Sequence, residues 1–461
     1  MQGTEGPFAV TSPAVSLEPS DGSRSSESVP AFAAAWWQNR WEAAGWILFA
    51  AMLVGVFPLV FYRTTRTTSS DFWEFYGSAR CIWEHGTRLS NSKFIHYLPS
   101  VDVAVGLVAW MPMRWAATAW FGIMTLGWLC LLAAVRRYLL SDGDGIQARR
   151  AVLAAGLLVM PLFLDHLCVG AFHVLMVWWM VAGLGRISRD RPWSGGLMLG
   201  LAIWIKLLPL AGVGYLLLKR KWWPAVLAVA AALAVDLALS LAAFHPETIW
   251  QLHRQWWQDQ VCGQNNGMLS DANPIDEDRI TNQSVMIVMR HLLTHMGQGT
   301  MADRLEASRR GTPMEPWQIG SVKFGGPRPN VALANLTAGQ VQAVYAAVMA
   351  LLVLAISIYC RRPGRDLSPR QWATEIALIV LSTLWFSPLV WSYHPTAALP
   401  ALAVILNQSH RYPKRTQAPA ALWLLSLALM GVPVARTCGV TLWMNLLLGA
   451  VLVWNASQES R

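Results

Sequence analysis

Long apolar runs alternate with polar connections along this chain, and the apolar residues fall in blocks rather than at helical or strand spacing. The runs lie at about 45–62, 98–112, 115–140, 150–165, 168–187, 194–218, 222–244, 340–359, 373–390, 393–407, 419–436 and 438–454. Blocks of this kind read as segments buried in lipid, not as one face of a soluble fold. Only helices satisfy their own backbone polar groups in hydrocarbon without closing a barrel, so the pattern predicts an all-α polytopic membrane protein. Measured against the ~20 residues a span needs, it predicts roughly eleven to thirteen crossings.

The polar connections set the orientation. The basic loops "RRYLLSDGDGIQARR", "KRK", "RRPGR" and "RYPKR" are expected on the cytoplasmic side. Working back from them, 245–339 and 391–394 face the other side. The N-terminal part leaves two readings open. With a cytoplasmic tail, 63–97 lies outside, and two full crossings between 98 and 140 would put "RRYLLSDGDGIQARR" outside as well. Either 98–112 does not fully span, or that loop is an exception to the charge rule. The stretch 245–339 is far longer than the usual connection of about 2–8 residues, as functional or disordered loops are. Within it, "TNQSVMIVMRHLLTH" has apolar residues at 285, 288, 289, 292 and 293, a spacing that predicts a helix lying on the membrane surface. The expected organisation is a disordered cytoplasmic tail over 1–43, a transmembrane domain over 44–454 and a short tail over 455–461.

Composition agrees with the pattern. Of 461 residues, 54% are hydrophobic and only 13% charged, where soluble domains carry roughly 25%. Many of the 26 Trp residues lie near segment ends, where indole rings sit at headgroup level. The net charge of +10 is accounted for by basic loops and calls for no nucleic-acid partner. Six scattered cysteines show no CxxC pair or metal spacing, so neither a disulfide framework nor a zinc site is expected. The first ~35 residues are rich in Ser, Pro, Gly and Glu and lack an apolar core, which reads as a disordered tail rather than a signal peptide. The first apolar run is then an uncleaved anchor.

Candidate chemistry begins at "TTSSDFWEFYGSARCIWEHG", residues 67–86. Asp71 followed by Glu74 has the form of a capping box, with Ser69 and Ser70 favouring a helix start, so Asp71 reads either as a cap or as a reactive carboxylate. Lys206 lies deep in "LGLAIWIKLLPLAG", where a charge costs ~3 kcal/mol unless a cavity or an anion meets it. Pro209, one turn later, breaks or kinks that helix and frees backbone groups to line the same cavity. In "FSPLVWSYHPT", Pro388 and Pro395 bracket Trp391, Ser392, Tyr393 and His394, and His394 can bond or protonate a phosphate oxygen. Asp165 and His166 form a polar pair at a helix end. Asp236 is an intramembrane acid with no partner legible in the sequence, and His173 reads as a packing histidine. No Walker A loop, GxGxxG or HExxH motif occurs.

Taken in order, four stretches resemble one family. "SSDFWEFYGSARCIWEHG" with "HYLPSVDVAVGLVAW" is similar to its Asp-Phe and Tyr-x-Pro pattern, and "SGGLMLGLAIWIKLLPL" to its Gly-rich helix ending in Ile-Lys-x-x-Pro. "TNQSVMIVMRHLL" resembles its Asn-Gln-Ser segment with a downstream Arg, and "FSPLVWSYHPT" its Ser-Pro-x-x-Trp-x-x-His turn. The family is glycosyltransferase family 87, also known as a domain of unknown function, of the GT-C fold. It includes polyprenyl-phosphate-mannose-dependent mannosyltransferases and related arabinofuranosyltransferases. Where the family often has Gly-Gln-x-Asn, this chain reads Gly170-Ala171-Phe172-His173, and its Tyr-Pro-Pro appears as Tyr97-Leu98-Pro99.

The resemblance implies an enzyme of the cell membrane whose site faces the extracytoplasmic side. It would transfer a sugar from a polyprenyl-phosphate donor to a hydroxyl of a lipid or glycan acceptor, with inversion and without a cofactor or metal. By the same carry-over, Asp71 is the general base, and Lys206, Arg290 and His394 hold the donor phosphate. Glu74, Tyr76, Tyr97, Asn282, Gln283, Ser284, Trp391 and Tyr393 would line the substrate. Two other readings fit the same composition: a transporter or flippase with Lys206 and Asp236 in the substrate path, and a non-catalytic scaffold of envelope assembly.

Overall fold

The computed structural model describes residues 29–66, 70–86, 97–140, 145–258, 282–293, 317–319, 322–324, 331–387, 390–408, 413–432, 435–436 and 438–459. The expected disorder of residues 1–28, most of the long loop and Pro388 lie outside the described residues. The chain divides into two units, Met1–Ala44 and Gly45–Arg461. In chain order the helices are α1 (Val29–Arg66), α2 (Asp71–His85), α3 (Pro99–Ala109), α4 (Met113–Leu139), α5 (Gly145–Val169), α6 (His173–Ile187), α7 (Pro192–Ile205) and α8 (Leu210–Leu218). They continue with α9 (Trp222–Ala243), α10 (Pro246–Trp256), α11 (Val285–Leu293), α12 (Ala338–Tyr359), α13 (Pro369–Phe386), α14 (Leu399–Asn407), α15 (Pro413–Leu429) and α16 (Val440–Glu459). Two three-residue strands, β1 (Trp317–Ile319) and β2 (Val322–Phe324), form an antiparallel hairpin and are the exception to an all-α architecture among the described residues. Because α1 begins at Val29, residues 29–43 are helical, in place of the tail expected there.

Among the described residues, six helices are long and apolar enough to cross a membrane: Arg40–Thr65 of α1, α4, α5, α9, Gly339–Tyr359 of α12 and Val440–Gln458 of α16. Four further apolar helices are shorter, α3, α6, α7 and Thr416–Leu429 of α15. Apolar runs therefore outnumber span-length helices, and two runs show why. The 98–112 run folds as α3, whose 11 residues rise only about 16 Å, short of a bilayer core. The 194–218 run breaks at Lys206, whose backbone is extended (φ −152°, ψ 139°), just before Pro209, which lacks the N–H a continuing helix would need. The segments α7 and α8 then run antiparallel as a hairpin with Lys206 at its tip. Lys221 Nζ, beyond the foot of α8, meets Asp190, just before α7, at 3.0 Å.

The hairpin packs by close approach of small residues. A Cβ on Gly195 of α7 would lie 2.7 Å from the Gly183 carbonyl of α6, and one on Gly200 would lie 2.6 Å from the Ala228 carbonyl of α9. In lipid, backbone approach of this kind replaces the hydrophobic driving force between helices. The Gly-rich stretch is thus a packing surface.

Two ends of the helix bundle differ in chemistry. At one, Arg189 donates to the Arg137 carbonyl, Lys221 pairs with Asp190, and Lys219 donates to the carbonyls of Cys360 (2.6 Å) and Arg362 (2.8 Å). Described residues flanking the other basic stretches meet as well: Gln147 donates to the Leu406 carbonyl and Asn455 to Gln408. At the other end lie the start of α2, the end of α5, the start of α6, the hairpin tip and the 390–394 turn. From the basic end, α6, with 15 residues, rises about 22 Å, and α9, with 22 residues, about 33 Å. Trp204, two residues before the hairpin tip, donates to Ser100, which donates to Asp236 of α9, and α9 runs seven residues further, to Ala243.

The expected surface helix at 285–293 is present as α11, but its Val285–Val288 turn is buried against the protein, Val288 facing Gly439. A nine-residue helix followed at once by contacts to 333–336 has no free apolar face to offer lipid. The amphipathic helix is α10, with Trp250 and the adjoining Trp257 exposed.

At the basic end Lys219 and Glu375 form a fully buried ion pair at 2.6 Å, and Tyr215 donates to the same carboxylate at 2.8 Å. Removing one partner strands the other charge. Lys219→Met is expected to destabilise the detergent-solubilised protein by about 3 kcal/mol or more, and Lys219→Met with Glu375→Gln by much less. Thermal or denaturant unfolding of the three proteins checks this.

Candidate active site

The opening of α2 decides between the two readings of Asp71. Ser70 is the N-cap: its backbone is extended (φ −104°, ψ 141°), and its hydroxyl accepts from the Trp73 N–H at 3.2 Å. Asp71 is the first helical residue, so the capping role falls to Ser70 and the carboxylate is left for other contacts. Gly86 closes the helix in the left-handed region, φ +65°, with its N–H on the Ile82 carbonyl.

Packing and hydrogen bonds hold α2 in place. Phe72 is fully buried against Trp120 and against Gly170, whose φ of +77° ends α5; a Cβ there would meet the Phe72 Cβ at 2.5 Å. Trp120 donates to the Gly170 carbonyl at 2.9 Å, Ser78 to Asp102 of α3 at 2.9 Å, and Tyr76 to the Met111 carbonyl at 2.9 Å. Phe75 packs edge-on to Tyr97 and Phe172.

Around Asp71 the far end of the bundle converges. Tyr393 donates its hydroxyl proton to Asp71 Oδ2 at 3.2 Å. The next residue, His394, accepts from the Trp391 N–H through Nδ1 at 2.8 Å, which puts the proton of the neutral ring on Nε2. That Nε2 lies 3.4 Å from Lys206 Nζ at the hairpin tip. An ammonium and an imidazole N–H are both donors, so they are arranged to share an acceptor rather than to bond each other. His173 Nε2 donates to the His394 carbonyl at 2.8 Å, and the two rings pack edge to face. His173 therefore does more than pack: it holds the turn that carries His394.

The electrostatics follow from burial. Desolvation pushes the Asp71 carboxyl up to about 6, held back by the Tyr393 hydrogen bond and the positive charge of Lys206. Glu74, half-buried one turn on, rises to about 7 through desolvation and the nearby Asp71 charge. A carboxylate poised near neutrality beside a cation and two aromatic hydroxyls suits proton abstraction.

Other expected substrate residues have structural duties. The Asn282 side chain accepts from the N–H groups of Ser284 and Val390, both at 3.0 Å, and Ser284 accepts from the Ile287 N–H at the start of α11. Gln283 donates its backbone N–H to the Val390 carbonyl at 2.8 Å and its side-chain amide to the Arg436 carbonyl at 2.7 Å. This Asn-Gln-Ser segment clamps Val390, at the entry to the 391–394 turn. Tyr76 is bound to backbone, and Arg290 stands in the last turn of α11. Asp236 gains the partners its sequence did not show: Ser100, which also accepts from Trp204, and His253 of α10 at 2.8 Å. Ser392 donates to Asp165. Among the described residues no three His, Cys, Asp or Glu side chains are grouped to hold a metal ion.

A multi-pass helical membrane protein with a carboxylate facing a lysine–histidine pair is the frame of a group-transfer enzyme acting on a membrane-borne anion. The model of glycosyltransferase family 87 matches residues 94–388, and the chain belongs to that family. The match takes in Lys206 and Arg290 and leaves Asp71 and the 391–394 turn outside it. The chain is similar to the polyprenol-phosphate-mannose-dependent alpha-(1-2)-phosphatidylinositol mannoside mannosyltransferase of Mycobacterium tuberculosis, 27% identical over 382 residues that cover 78% of this chain and 73% of that protein. It is 24% identical over 379 residues to the enzyme of the same description from Mycolicibacterium smegmatis, with the same coverage. No solved structure matches the chain.

The titration of Asp71 is open to measurement. Sugar transfer is expected to fall as pH drops through about 6, where Asp71 takes up a proton. Tyr393→Phe removes a donor to the charged form and is expected to move that acid limb to higher pH. A pH–rate profile of the two proteins checks the shift, and an unmoved limb would assign the titration elsewhere.

Proposed function

We propose that the enzyme transfers a mannose-like or arabinofuranose-like sugar from a polyprenyl-phosphate donor to a hydroxyl of a glycolipid or glycan, at the extracytoplasmic face. The observation that carries this reading is the convergence of Asp71, through Tyr393, with the Lys206–His394 pair at the end of the bundle away from the basic loops. By the positive-inside rule the basic end is cytoplasmic, which leaves the site on the other side. The shortness of α3 supports the same orientation, since with α3 not spanning, the 136–150 loop returns to the cytoplasm through α4 alone.

In this reading Asp71 takes the acceptor hydroxyl proton. The acceptor oxygen forms its bond to the anomeric carbon as the bond from that carbon to the phosphate oxygen breaks, and the electron pair leaves with polyprenyl phosphate. Lys206 and His394 Nε2–H meet the negative charge that grows on the departing phosphate. Donors already aimed at that position cost no reorganisation during the reaction. Glu74 and Tyr97 shape the carboxylate's surroundings, and Trp391 and Tyr393 position the turn. The donor chemistry is that named for the two mycobacterial relatives.

Two substitutions separate the roles. Asp71→Asn is expected to lower kcat by about 10²–10⁴-fold without loss of folding, because Ser70 keeps the cap while the amide cannot take the proton. Near-wild-type turnover would place the base elsewhere. Lys206→Met keeps the length and apolar stem of the side chain. It is expected to weaken binding of a polyprenyl-phosphate analogue by about 10–100-fold and to leave acceptor affinity little changed. Binding titrations with purified protein check this, and unchanged affinity would remove Lys206 from the phosphate.

A further inference from the structure

On the other side of the 391–394 turn from Lys206 lies a second charged centre that the reaction above does not use. Arg436, between α15 and α16, is 97% buried by its relative exposure of 3%. Among the described residues its Nε has no hydrogen-bond partner and its guanidinium forms no ion pair. Its backbone is locked: the carbonyl accepts from Gln283 and from the Gly439 N–H at 3.0 Å, and its N–H bonds the Val432 carbonyl at 3.0 Å. The charge that acts on it belongs to Asp165, on the last turn of α5. Asp165 in turn accepts from Ser392, one residue before the tyrosine that bonds Asp71. Only one oxygen of Asp165 makes that bond; the other has no hydrogen bond among the described residues.

A buried guanidinium with its Nε donor unmet costs free energy that direct pairing with Asp165 would have relieved, yet no ion pair joins the two side chains among the described residues. A donor set and an acceptor set held apart, near the base, are matched by a group that both donates and accepts. Phosphate is the poorer fit, because the Asp165 charge repels a second anion. Sugar hydroxyls are neutral and do both. We propose that Asp165 and Arg436 form a sugar-binding subsite, the carboxylate accepting from ring hydroxyls and the guanidinium donating to them. The assignment rests on the sugar-transfer reading above and adds the residues that would distinguish a glycosylated ligand from a bare lipid phosphate. The sugar is that of the donor or that of a glycosylated acceptor; both present the same chemistry.

Direct binding by the full-length protein in detergent tests this with three probes: polyprenyl-phosphate mannose, bare polyprenyl phosphate and an alkyl mannoside. In wild type the sugar is expected to add affinity over bare phosphate or to give measurable mannoside binding. Arg436→Gln and Asp165→Asn are each expected to lose about 10-fold or more in the sugar-bearing arm and to bind bare phosphate within about 2-fold of wild type. Loss confined to the sugar phosphate assigns the subsite to the donor, and loss confined to the mannoside assigns it to the acceptor. Asp165→Asn is nearly isosteric, and retained bare-phosphate binding shows that the fold is kept even where Arg436→Gln fails to fold. Full retention of sugar affinity in Asp165→Asn would overturn the subsite, as would a fall in bare-phosphate affinity of the kind expected for Lys206→Met. A wild-type protein that bound bare polyprenyl phosphate but gained nothing from sugar would also overturn it, leaving the donor reading intact. One that bound none of the probes would overturn both.

Discussion

A lysine charge held inside an apolar layer is the constraint around which this protein is arranged. Lys206 stands at the tip of a hairpin of two short helices, and everything that reaches it is there to make that position tenable or useful. Pro209 prevents the helix from continuing past it. Gly195 and Gly200 let the supporting helix pack backbone to backbone, so the tip has little freedom to retreat toward water. Opposite it, the ring of His394 is fixed at both Nδ1 and the backbone carbonyl, by Trp391 and His173. The carboxylate of Asp71 completes the group at the range where charges still influence one another.

Rigidity is distributed through bonds that connect distant parts of the chain. The 390–394 turn is clamped by Asn282 and Gln283, by Asp165 through Ser392 and by His173. The second helix, which carries Asp71, is tied to the third by Ser78 and Asp102 and to its end by Tyr76. The Asp236 cluster joins the seventh helix, through Trp204 and Ser100, to His253 of the amphipathic tenth helix. Buried polar networks of this sort are worth having only when satisfied, and then they specify one geometry.

The fold class was legible because lipid burial leaves its mark locally: each long apolar run reports its own environment without reference to any other. Pro209 announced the break at Lys206 for the same reason. The depth to which a run penetrates is not local, and runs such as 98–112 and 194–218 could not be told from full spans until the turn positions were known. At the site, Asp71, Lys206 and His394 stood out by residue type in unlikely company. Asn282, Gln283 and Ser284 stood out equally, but for a structural reason, since polar side chains that satisfy backbone groups look in sequence like polar side chains that bind ligands. Ser70 and Asp71 both have cap chemistry, and only the dihedral angles assign the role. The Lys219–Glu375 pair, the partners of Asp236 and the setting of Arg436 all depend on contacts more than a hundred residues away or on adjacency of helix ends, for which neither period nor spacing carries a signal.

That the ninth helix runs on past the level of the hairpin tip has a consequence for lipid traffic. A long-chain isoprenoid pulled bodily into water would give up about 0.8 kcal/mol for every methylene exposed. A reaction centre at the bilayer surface would require some of that withdrawal before the head reached it. With the cationic tip short of the end of the ninth helix, the head of the proposed donor can meet Lys206 while its tail stays solvated by neighbouring acyl chains. Entry is then sideways, from the membrane plane, and the barrier to reaching the enzyme becomes one of lateral diffusion rather than extraction.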